Sequence, residues 1–358
     1  MATICQIGCG MIGKVMALDI SKRHDLHLSD LDRSALKEIK TLDPTIKTKC
    51  FNVNDSDRLK SFLKPADIVL LAVPGYMGYK LLEIIIGFKK NIVDISFSPE
   101  NILYLDKKAK DNNITVIFDA GLAPGIPNFL LGHINAKENV KSFKYFVGGL
   151  PKHPEPPYNY KAPFSPIDVI EEYTRPARIM ENGKIITKPA LTDIEKKTYL
   201  STGLLEGFNT DGLRSILITM DHIPNMVEKT LRFPGHAKLI GEEIKSGKIL
   251  PGDKDNLARL FKLWKLYPGE KEFTILDVII ETETTVHNYF LYDETNLKEG
   301  FTSMARTTGY TATATIDLLD QNIITEKGVL SPELVSSKSN VIGFLINHLK
   351  DRDIHIKK

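Results

Sequence analysis

The feature that most constrains the fold is a regular alternation of strand-like and helix-like segments from residue 1 to about residue 121. Short apolar runs such as TICQIG and ADIVLLAVP are separated by amphipathic runs such as SALKEIKTL and SDRLKSFLK. A strand that is apolar on both faces, as ADIVLLAVP is, is typical of the centre of a parallel sheet covered by helices. The alternation therefore predicts an α/β domain of the Rossmann type, with a doubly wound parallel sheet.

The pattern changes after this first part. From about residue 141 to residue 200 the chain is rich in strands and prolines, and a long pair of alternating runs, FTILDVIIETETTVHNYFLYDE, follows later. Asn182-Gly183 between two alternating runs predicts a type I′ hairpin. The spacing favours antiparallel strands in a mixed α+β domain. Helical patterns return after Gly300. We therefore predict a discontinuous Rossmann domain at 1–121 and 305–358, and an α+β substrate-binding and dimerisation domain at 122–304.

Composition excludes several classes of partner. The 358 residues include 47 basic and 45 acidic side chains, so a net charge of +2 gives no reason to expect nucleic acid or an anionic membrane. No run reaches the length of a membrane span, and no basic start precedes an apolar segment as in a signal peptide. The three cysteines form no disulfide pattern, which favours the cytoplasm. No pair of histidines has metal-site spacing, so no metal is expected.

A glycine-rich turn, GCGMIG, directly follows the first strand. Alone this motif is weak, but here it lies between a strand and a helix, as dinucleotide binding requires. Gly8 would permit the turn, Gly10 would let the backbone approach a pyrophosphate, and Gly13 would let the helix pack on the strand. The amides of the first helical turn, which include those of Met11 and Ile12, would then face the phosphates. A glycine turn without a ligand is the alternative.

An acidic residue, Asp30, ends the second strand. A carboxylate in this place accepts hydrogen bonds from the adenosine ribose and repels a 2′-phosphate, so NAD is favoured over NADP. Arg33 leaves the second possibility open, because it could hold a 2′-phosphate. A loop after the central strand is expected to border the ribose and nicotinamide, or simply to form a tight turn. Its residues are Val73, Pro74 and Gly75.

Five later segments carry a family resemblance. They are FDAGLAPGIPNFLLGHI, FVGGLP, FSPIDVIEEYTRPARIMENGK, TLRFPGH and SMARTTGYTA. In this order they resemble the saccharopine dehydrogenase-like family, and most of all its L-lysine 6-dehydrogenase branch. One departure is Ala123, which stands where saccharopine reductases usually have an aspartate before Pro-Gly.

The resemblance implies an NAD(P)-dependent oxidoreductase of amino-acid metabolism, usually a homodimer. In the lysine 6-dehydrogenase branch the reaction is oxidative deamination of the ε-amine to the semialdehyde. The glutamate-forming saccharopine dehydrogenase reaction is the alternative. A third reading, of another class, is a regulator that binds NAD(H) without turnover.

This chemistry needs a cation for the substrate carboxylate and a group that takes the amine proton. Arg232, with Gly235 beside it, is the preferred carboxylate site among several arginines, and Tyr160, Tyr173 and Thr174 are further substrate-binding candidates. Asp119 ends the strand before GLAPG and is a candidate for steering the amine, or it merely caps the turn. His236 is a candidate general base with a pKa near neutrality, or a buried histidine that satisfies a carbonyl.

Overall fold

The computed structural model describes residues 1–250, 252–267 and 269–358. These residues form two compact units. One consists of Met1–His133 with Ala305–Arg352, and the other of Ile134–Met304 with Asp353–Lys358. The first unit thus continues past residue 121, and the last residues belong to the second unit. Among the described residues, no helix combines the length and the apolar character needed to cross a membrane.

The first unit contains a seven-stranded sheet in which every pairing is parallel. The strands, in spatial order, are β15 (Gly328–Leu330), β6 (Thr115–Ile117), β5 (Asn91–Asp94), β4 (Ile68–Leu71), β1 (Thr3–Ile7), β2 (Asp25–Asp30) and β3 (Lys47–Cys50). All four residues of the central strand β4 are buried, as its apolar sequence predicts. This order is that of a doubly wound sheet and confirms the predicted fold class.

Helices lie between and after these strands. They are α1 (Met11–Ile20), α2 (Arg33–Leu42), α3 (Ser56–Leu63), α4 (Gly75–Ile86), a 3₁₀ turn (Ile102–Leu105) leading into α5 (Asp106–Asp111), α6 (Ile126–Asn135), α11 (Ser303–Asp320), α12 (Pro332–Val335) and α13 (Ser339–Lys350). Leu59, Phe62, Leu82 and Ile85 pack with Val69 of β4 in a buried core. A Cβ added at Gly309 of α11 would lie 3.2 Å from the Cγ of Met16, so this glycine allows close packing on α1.

The second unit contains a nine-stranded mixed sheet. Its main path is β10 (Glu195–Tyr199), β11 (Gly203–Asn209), β12 (Asn225–Arg232), β7 (Val140–Pro151), β13 (Glu272–Thr282), β14 (Val286–Glu294) and β16 (Ile356–Lys357), with β8 (Ala177–Glu181) and β9 (Lys184–Lys188) attached to β12. The β8–β9 hairpin turns at Asn182 and Gly183, both with positive φ, which confirms the predicted hairpin.

One strand pairing differs from the sequence-based prediction. β12 and β7 are parallel, whereas the spacing of these runs favoured antiparallel neighbours throughout. A long connection between the two strands brings the chain back to the end of the sheet at which β7 begins, so that β12 runs in the same direction as β7. The described residues of this unit include the helices α7 (Pro166–Thr174), α8 (Ile216–Thr219), α9 (His236–Lys245) and α10 (Lys254–Leu263). Phe146, Phe208, Trp264 and Ile275 belong to the core packed on the sheet.

Candidate cofactor and substrate sites

Packing requires two of the three glycines in the turn between β1 and α1, and it does not require the third. Gly8 has a φ of +107°, and a Cβ there would lie 2.1 Å from the carbonyl oxygen of Ala72. A Cβ at Gly13 would lie 2.4 Å from the carbonyl oxygen of Gly8. At Gly10 an added Cβ would meet nothing within 4 Å. The open space at the middle glycine is what the approach of a ligand to the backbone requires.

The start of α1 presents unpaired amides. Gly10 is the N-cap and provides no side-chain cap. None of the described residues accepts a hydrogen bond from the amides of Met11, Ile12 or Gly13. Free amides at the positive end of a helix dipole bind anions. The turn therefore fits the diphosphate of a dinucleotide.

Asp30 connects the end of β2 to this turn. One carboxylate oxygen accepts from the amide of Cys9 at 2.6 Å, and the other accepts from the amide of Asp32 at 2.7 Å. Each carboxylate oxygen has a second lone pair, so Asp30 retains acceptor capacity for a ribose hydroxyl. Asp32 in turn caps α2 by accepting from the amide of Ser34. Two carboxylates thus lie at the end of this strand.

A basic groove follows on α2 and β3. Its volume is about 470 Å³. It is lined by Arg33, Leu36, Lys37, Lys40, Thr41, Thr48 and Cys50. Three cations within one groove make it suitable for an anionic group. Asp30 therefore favours NAD, whereas Arg33 favours NADP.

Further candidates lie in the loops that leave the carboxyl ends of the strands. Val73 and Pro74 precede α4, and Gly75 is its first residue. Asp119 follows β6, is 3% exposed and has a φ of 56°, a left-handed conformation that aspartate tolerates better than most residues. Carboxyl ends of parallel strands share one edge of the sheet, which is where such sheets bind ligands.

Gly78 in α4 was not singled out from the sequence. An added Cβ there would lie 2.1 Å from Oγ of Ser96 and 2.2 Å from Oγ of Ser98. Ser96 also donates to Asp94 at the end of β5. Gly78 therefore lets α4 pack directly against the loop after β5. Its sequence signal, a glycine three residues after the glycine at the helix start, was present in PGYMG.

In the second unit, Arg232 is the centre of a buried polar cluster. Its Nε donates to the hydroxyl of Tyr173 at 2.8 Å, and its Nη1 donates to the carbonyl of Leu231. Its Nη2 lies 3.2 Å from Oε2 of Glu172 and 3.5 Å from the hydroxyl of Tyr160. The guanidinium carbon lies 4.5 Å from the centre of the Tyr160 ring. Most donors of Arg232 are thus used within the protein.

His236 joins the same cluster through both ring nitrogens. Nδ1 donates to the carbonyl of Tyr158 at 2.7 Å, which leaves Nε2 as the acceptor for the hydroxyl of Tyr173 at 3.0 Å. Burial, together with the charge of Arg232, lowers the pKa of His236 to about 3. The imidazole is neutral at physiological pH and is a weak base. This environment agrees with the second of the two alternatives given for His236, a buried histidine that satisfies a carbonyl, and not with a pKa near neutrality.

The other substrate candidates have local partners. Thr174 donates its hydroxyl to the carbonyl of Ile170 in its own helix. Gly235 has a φ of +87°, begins α9 as its N-cap, and donates its amide to Glu206. Arg178, one of the other arginines considered for the substrate carboxylate, donates to both oxygens of Asp211 at 2.9 Å. The structure therefore brings Tyr160, Tyr173, Arg232 and His236 together, and leaves Thr174 at the end of α7.

Two glutamates of this unit were missed in the sequence. Burial raises the pKa of Glu172 to about 7 and that of Glu228 to about 8. Glu228 is 2% exposed and accepts from the hydroxyl of Thr210 and the amide of Gly212. Glu172 lies three residues after buried Val169 in α7, at the border of the apolar face. This position in the helical pattern is the one sequence feature that indicated partial burial of Glu172.

Domain families identify the chain. Residues 4–117 match the saccharopine dehydrogenase NADP binding domain. Residues 121–354 match the saccharopine dehydrogenase C-terminal domain. The chain belongs to the saccharopine dehydrogenase family.

Individual members of this family align with parts of the chain. Mitochondrial alpha-aminoadipic semialdehyde synthase of Rattus norvegicus is 28% identical over 206 residues, which is 54% of this chain and 22% of that protein. Saccharopine dehydrogenase (NADP(+), L-glutamate-forming) of Saccharomyces cerevisiae is 22% identical over 298 residues, 78% of this chain and 66% of that protein. The chain thus spans about a fifth of the synthase and under two thirds of the yeast enzyme in these alignments.

A solved structure shows the same fold. Apo saccharopine dehydrogenase (L-Glu forming) from Saccharomyces cerevisiae superposes with a TM-score of 0.79 at 17% sequence identity. The superposition covers 100% of this chain and 99% of the yeast chain. The fold of the family is therefore present over the whole length of this chain.

Proposed function

We propose that the chain is an NAD(P)-dependent dehydrogenase acting on a CH–NH₂ or CH–NH group of an amino acid in lysine metabolism. The observation that carries the proposal is the glycine turn, where Gly10 leaves open space beneath the uncapped amides of α1. Oxidoreductases of the same family, with saccharopine dehydrogenase in their names, support it. When bound, the dinucleotide supplies the nicotinamide that accepts a hydride.

Within this class we propose oxidative deamination of the lysine ε-amine. Ala123 supports this substrate, because the turn before Pro124 lacks the carboxylate usual in saccharopine reductases. Glutamate-forming oxidation of saccharopine is the second candidate, favoured by the names of the yeast relative and of both matching domains. In either case this chain must bind an α-carboxylate, orient the reacting carbon and remove a proton from nitrogen.

We further propose NAD as the dinucleotide. Asp30 and Asp32 place two carboxylates at the end of β2, where a 2′-phosphate would be repelled. Arg33 and the basic groove, and the description of the first domain as NADP binding, favour the alternative. Both dinucleotides therefore belong in the test.

The test is a turnover assay. The pure protein is mixed with oxidised NAD or NADP and with lysine, saccharopine, ornithine or glutamate, and the absorbance of the reduced nicotinamide is followed. Reduction with lysine alone is the expected result. Reduction with saccharopine alone would establish the second candidate. Tight dinucleotide binding without turnover on any of the four would leave a regulator that binds NAD(H).

Two other expectations remain predictions. The family resemblance predicts a homodimer, which sedimentation of the pure protein would check. Cysteine usage predicts the cytoplasm, and Cys5, Cys9 and Cys50 are all free thiols. Localisation of the tagged full-length protein would check the second expectation.

A further inference from the structure

Glu172 differs from the other members of the Arg232 cluster in its access to solvent. Its side chain is 22% exposed, whereas that of Arg232 is 2% exposed. Tyr160, Tyr173 and His236 are also buried. A ligand that approaches this cluster through solvent would therefore meet the carboxylate of Glu172 before the guanidinium.

The two oxygens of Glu172 have different surroundings. Oε2 accepts from Nη2 of Arg232 at 3.2 Å. No donor among the described residues lies within hydrogen-bond distance of Oε1. The carboxylate is thus fixed by one oxygen and open at the other. A counter-charge for buried Arg232 needs only the first of these contacts, so the second oxygen is available to solvent or to a cationic ligand.

We propose that Oε1 of Glu172 binds the side-chain ammonium group of the amino-acid substrate and accepts its proton. This inference rests on the proposed function. One N–H bond of the ammonium breaks, the proton moves to Oε1, and the electron pair stays on nitrogen. The neutral amine is the form whose adjacent carbon can lose a hydride to the oxidised nicotinamide dinucleotide. The proton leaves Glu172 to water at the exposed edge.

The surrounding charges agree with this role. Burial raises the pKa of Glu172 to about 7, with Arg232 and Arg175 opposing the rise and Asp168 adding to it. A carboxyl that titrates near neutrality is suited to general base catalysis. Burial, together with the charge of Glu172, raises the pKa of Glu228 to about 8, so Glu228 is mostly protonated at pH 7.

The remaining titratable neighbours do not compete for the proton. Burial raises the pKa of Tyr173 to about 12 and that of Tyr160 well above its usual value, so both phenols stay protonated. His236 stays neutral because its pKa is lowered by burial. At neutral pH, Glu172 is therefore the member of this cluster that exchanges a proton.

The cluster contains its own reporter. Trp264 is the single tryptophan of the chain, is fully buried, and has its ring centre 5.5 Å from that of Tyr160 and 6.2 Å from that of Tyr173. We would titrate the full-length protein with L-lysine and with L-norleucine, which lacks the ε-amine, and follow tryptophan fluorescence. The same titrations would be made on Glu172→Gln and on Glu171→Gln. Glu171 is the matched control, since it is adjacent and pairs with Arg175.

The expected result is specific to one ligand and one variant. Glu172→Gln should weaken lysine about tenfold or more, because a charge-assisted hydrogen bond is lost, and should leave norleucine unchanged. Glu171→Gln should change neither. In turnover, kcat/KM for lysine should fall below pH 7 in the wild type and in Glu171→Gln, and this acid limb should disappear in Glu172→Gln.

Two results would overturn the proposal. One is lysine affinity in Glu172→Gln equal to that of the wild type, and the other is an equal loss for lysine and norleucine. If Glu172→Gln does not fold, Glu172→Asp replaces it, and this variant must keep the acid limb at a lower kcat/KM. If the wild type turns over no amine, the proposed function fails, and the fluorescence titration still decides whether Glu172 binds the ammonium.

Discussion

The carboxylate of Asp30 accepts a hydrogen bond from the amide of Cys9 at 2.6 Å, and this contact joins the end of β2 to the glycine turn of β1 and α1. Both elements lie within residues 4–117, which match the saccharopine dehydrogenase NADP binding domain. The acid therefore has a structural contact in addition to its proposed contact with ribose. Substitutions here must be judged by stability and by affinity separately.

The glycine turn predicts a stability difference between its glycines. Gly8→Ala should cost about 2 kcal/mol or more, because a positive φ is combined with a Cβ 2.1 Å from a carbonyl oxygen. Gly13→Ala should also destabilise, since its Cβ would lie 2.4 Å from the carbonyl oxygen of Gly8. Urea unfolding measures both. Gly241→Ala is the control, because its added Cβ meets nothing within 4 Å, and a loss there as large as at Gly8 would refute the steric explanation.

Asp30→Ala is expected to weaken NAD about tenfold or more and to weaken NADP less, because the carboxylate attracts ribose hydroxyls and repels a 2′-phosphate. Arg33→Ala should leave NAD nearly unchanged. Calorimetric titration of both variants with both dinucleotides measures this. Equal losses for the two dinucleotides in Asp30→Ala would show that Asp30 acts only through its contacts with the turn.

Asp19 should stabilise the first unit through a buried ionic cluster. Its carboxylate is 3% exposed and lies 2.9 Å from Nε of Arg352 and 3.1 Å from Nη2 of Arg23. Asp19→Asn should cost about 3 kcal/mol at pH 7, because Arg352 loses its carboxylate partner, whereas Arg23 keeps Asp317 at 3.1 Å. Glu38→Gln is the control, because the Glu38 side chain is exposed, and it should change the free energy of unfolding by about 0.5 kcal/mol or less.

The same cluster predicts a direction for acid unfolding. Hydrogen bonds and nearby arginines hold the pKa of Asp19 well below 3.8, despite its burial. Its contribution is therefore complete above pH 3.8 and is lost as the pH falls below that value. The free energy of unfolding of the wild type should decline more steeply than that of Asp19→Asn in this range. Parallel declines would contradict the assignment.

Glu228 predicts the opposite dependence on pH. Burial raises its pKa from 4.5 to about 8, so its contribution to stability is complete below pH 4.5 and is lost as the pH rises through 8. Glu228→Gln should make this decline smaller, and the remainder should come from Glu172 and Glu272, whose pKa values burial raises to about 7. Urea unfolding at pH 6 and pH 9 would measure the difference. Glu281→Gln, on an exposed residue of the same unit, should keep the decline of the wild type. A decline as large in Glu228→Gln as in the wild type would assign it to other groups.

Local sequence predicted the parts of the fold that depend on local chemistry. The strand, glycine turn and helix at residues 3–20 follow from apolar patterning and from backbone freedom at Gly8. The β8–β9 hairpin follows from Asn182-Gly183, because both residues accept positive φ. The parallel pairing of β12 with β7 could not be predicted from local sequence, because the pairing of distant strands depends on packing across the sheet.

The buried polar clusters could not be predicted from local pattern. Thr313 donates to Asp19 across 294 positions of the chain, and Arg232 contacts Tyr173 across 59. Arg232 and His236 were singled out from the sequence, but local pattern could not show that most of their polar atoms are bound within the protein. It also passed over Glu172, because a glutamate in a helix is ordinarily solvated.

Dinucleotide binding by Gly10→Val tests the central claim most directly. The φ of −72° at Gly10 suits any residue, and added atoms meet open space, so the variant should unfold like the wild type. Calorimetric titration should find one dinucleotide per chain in the wild type and none in the variant, because the valine side chain fills the space above the amides of α1. Equal binding by both proteins, or no binding by the wild type, would contradict the account.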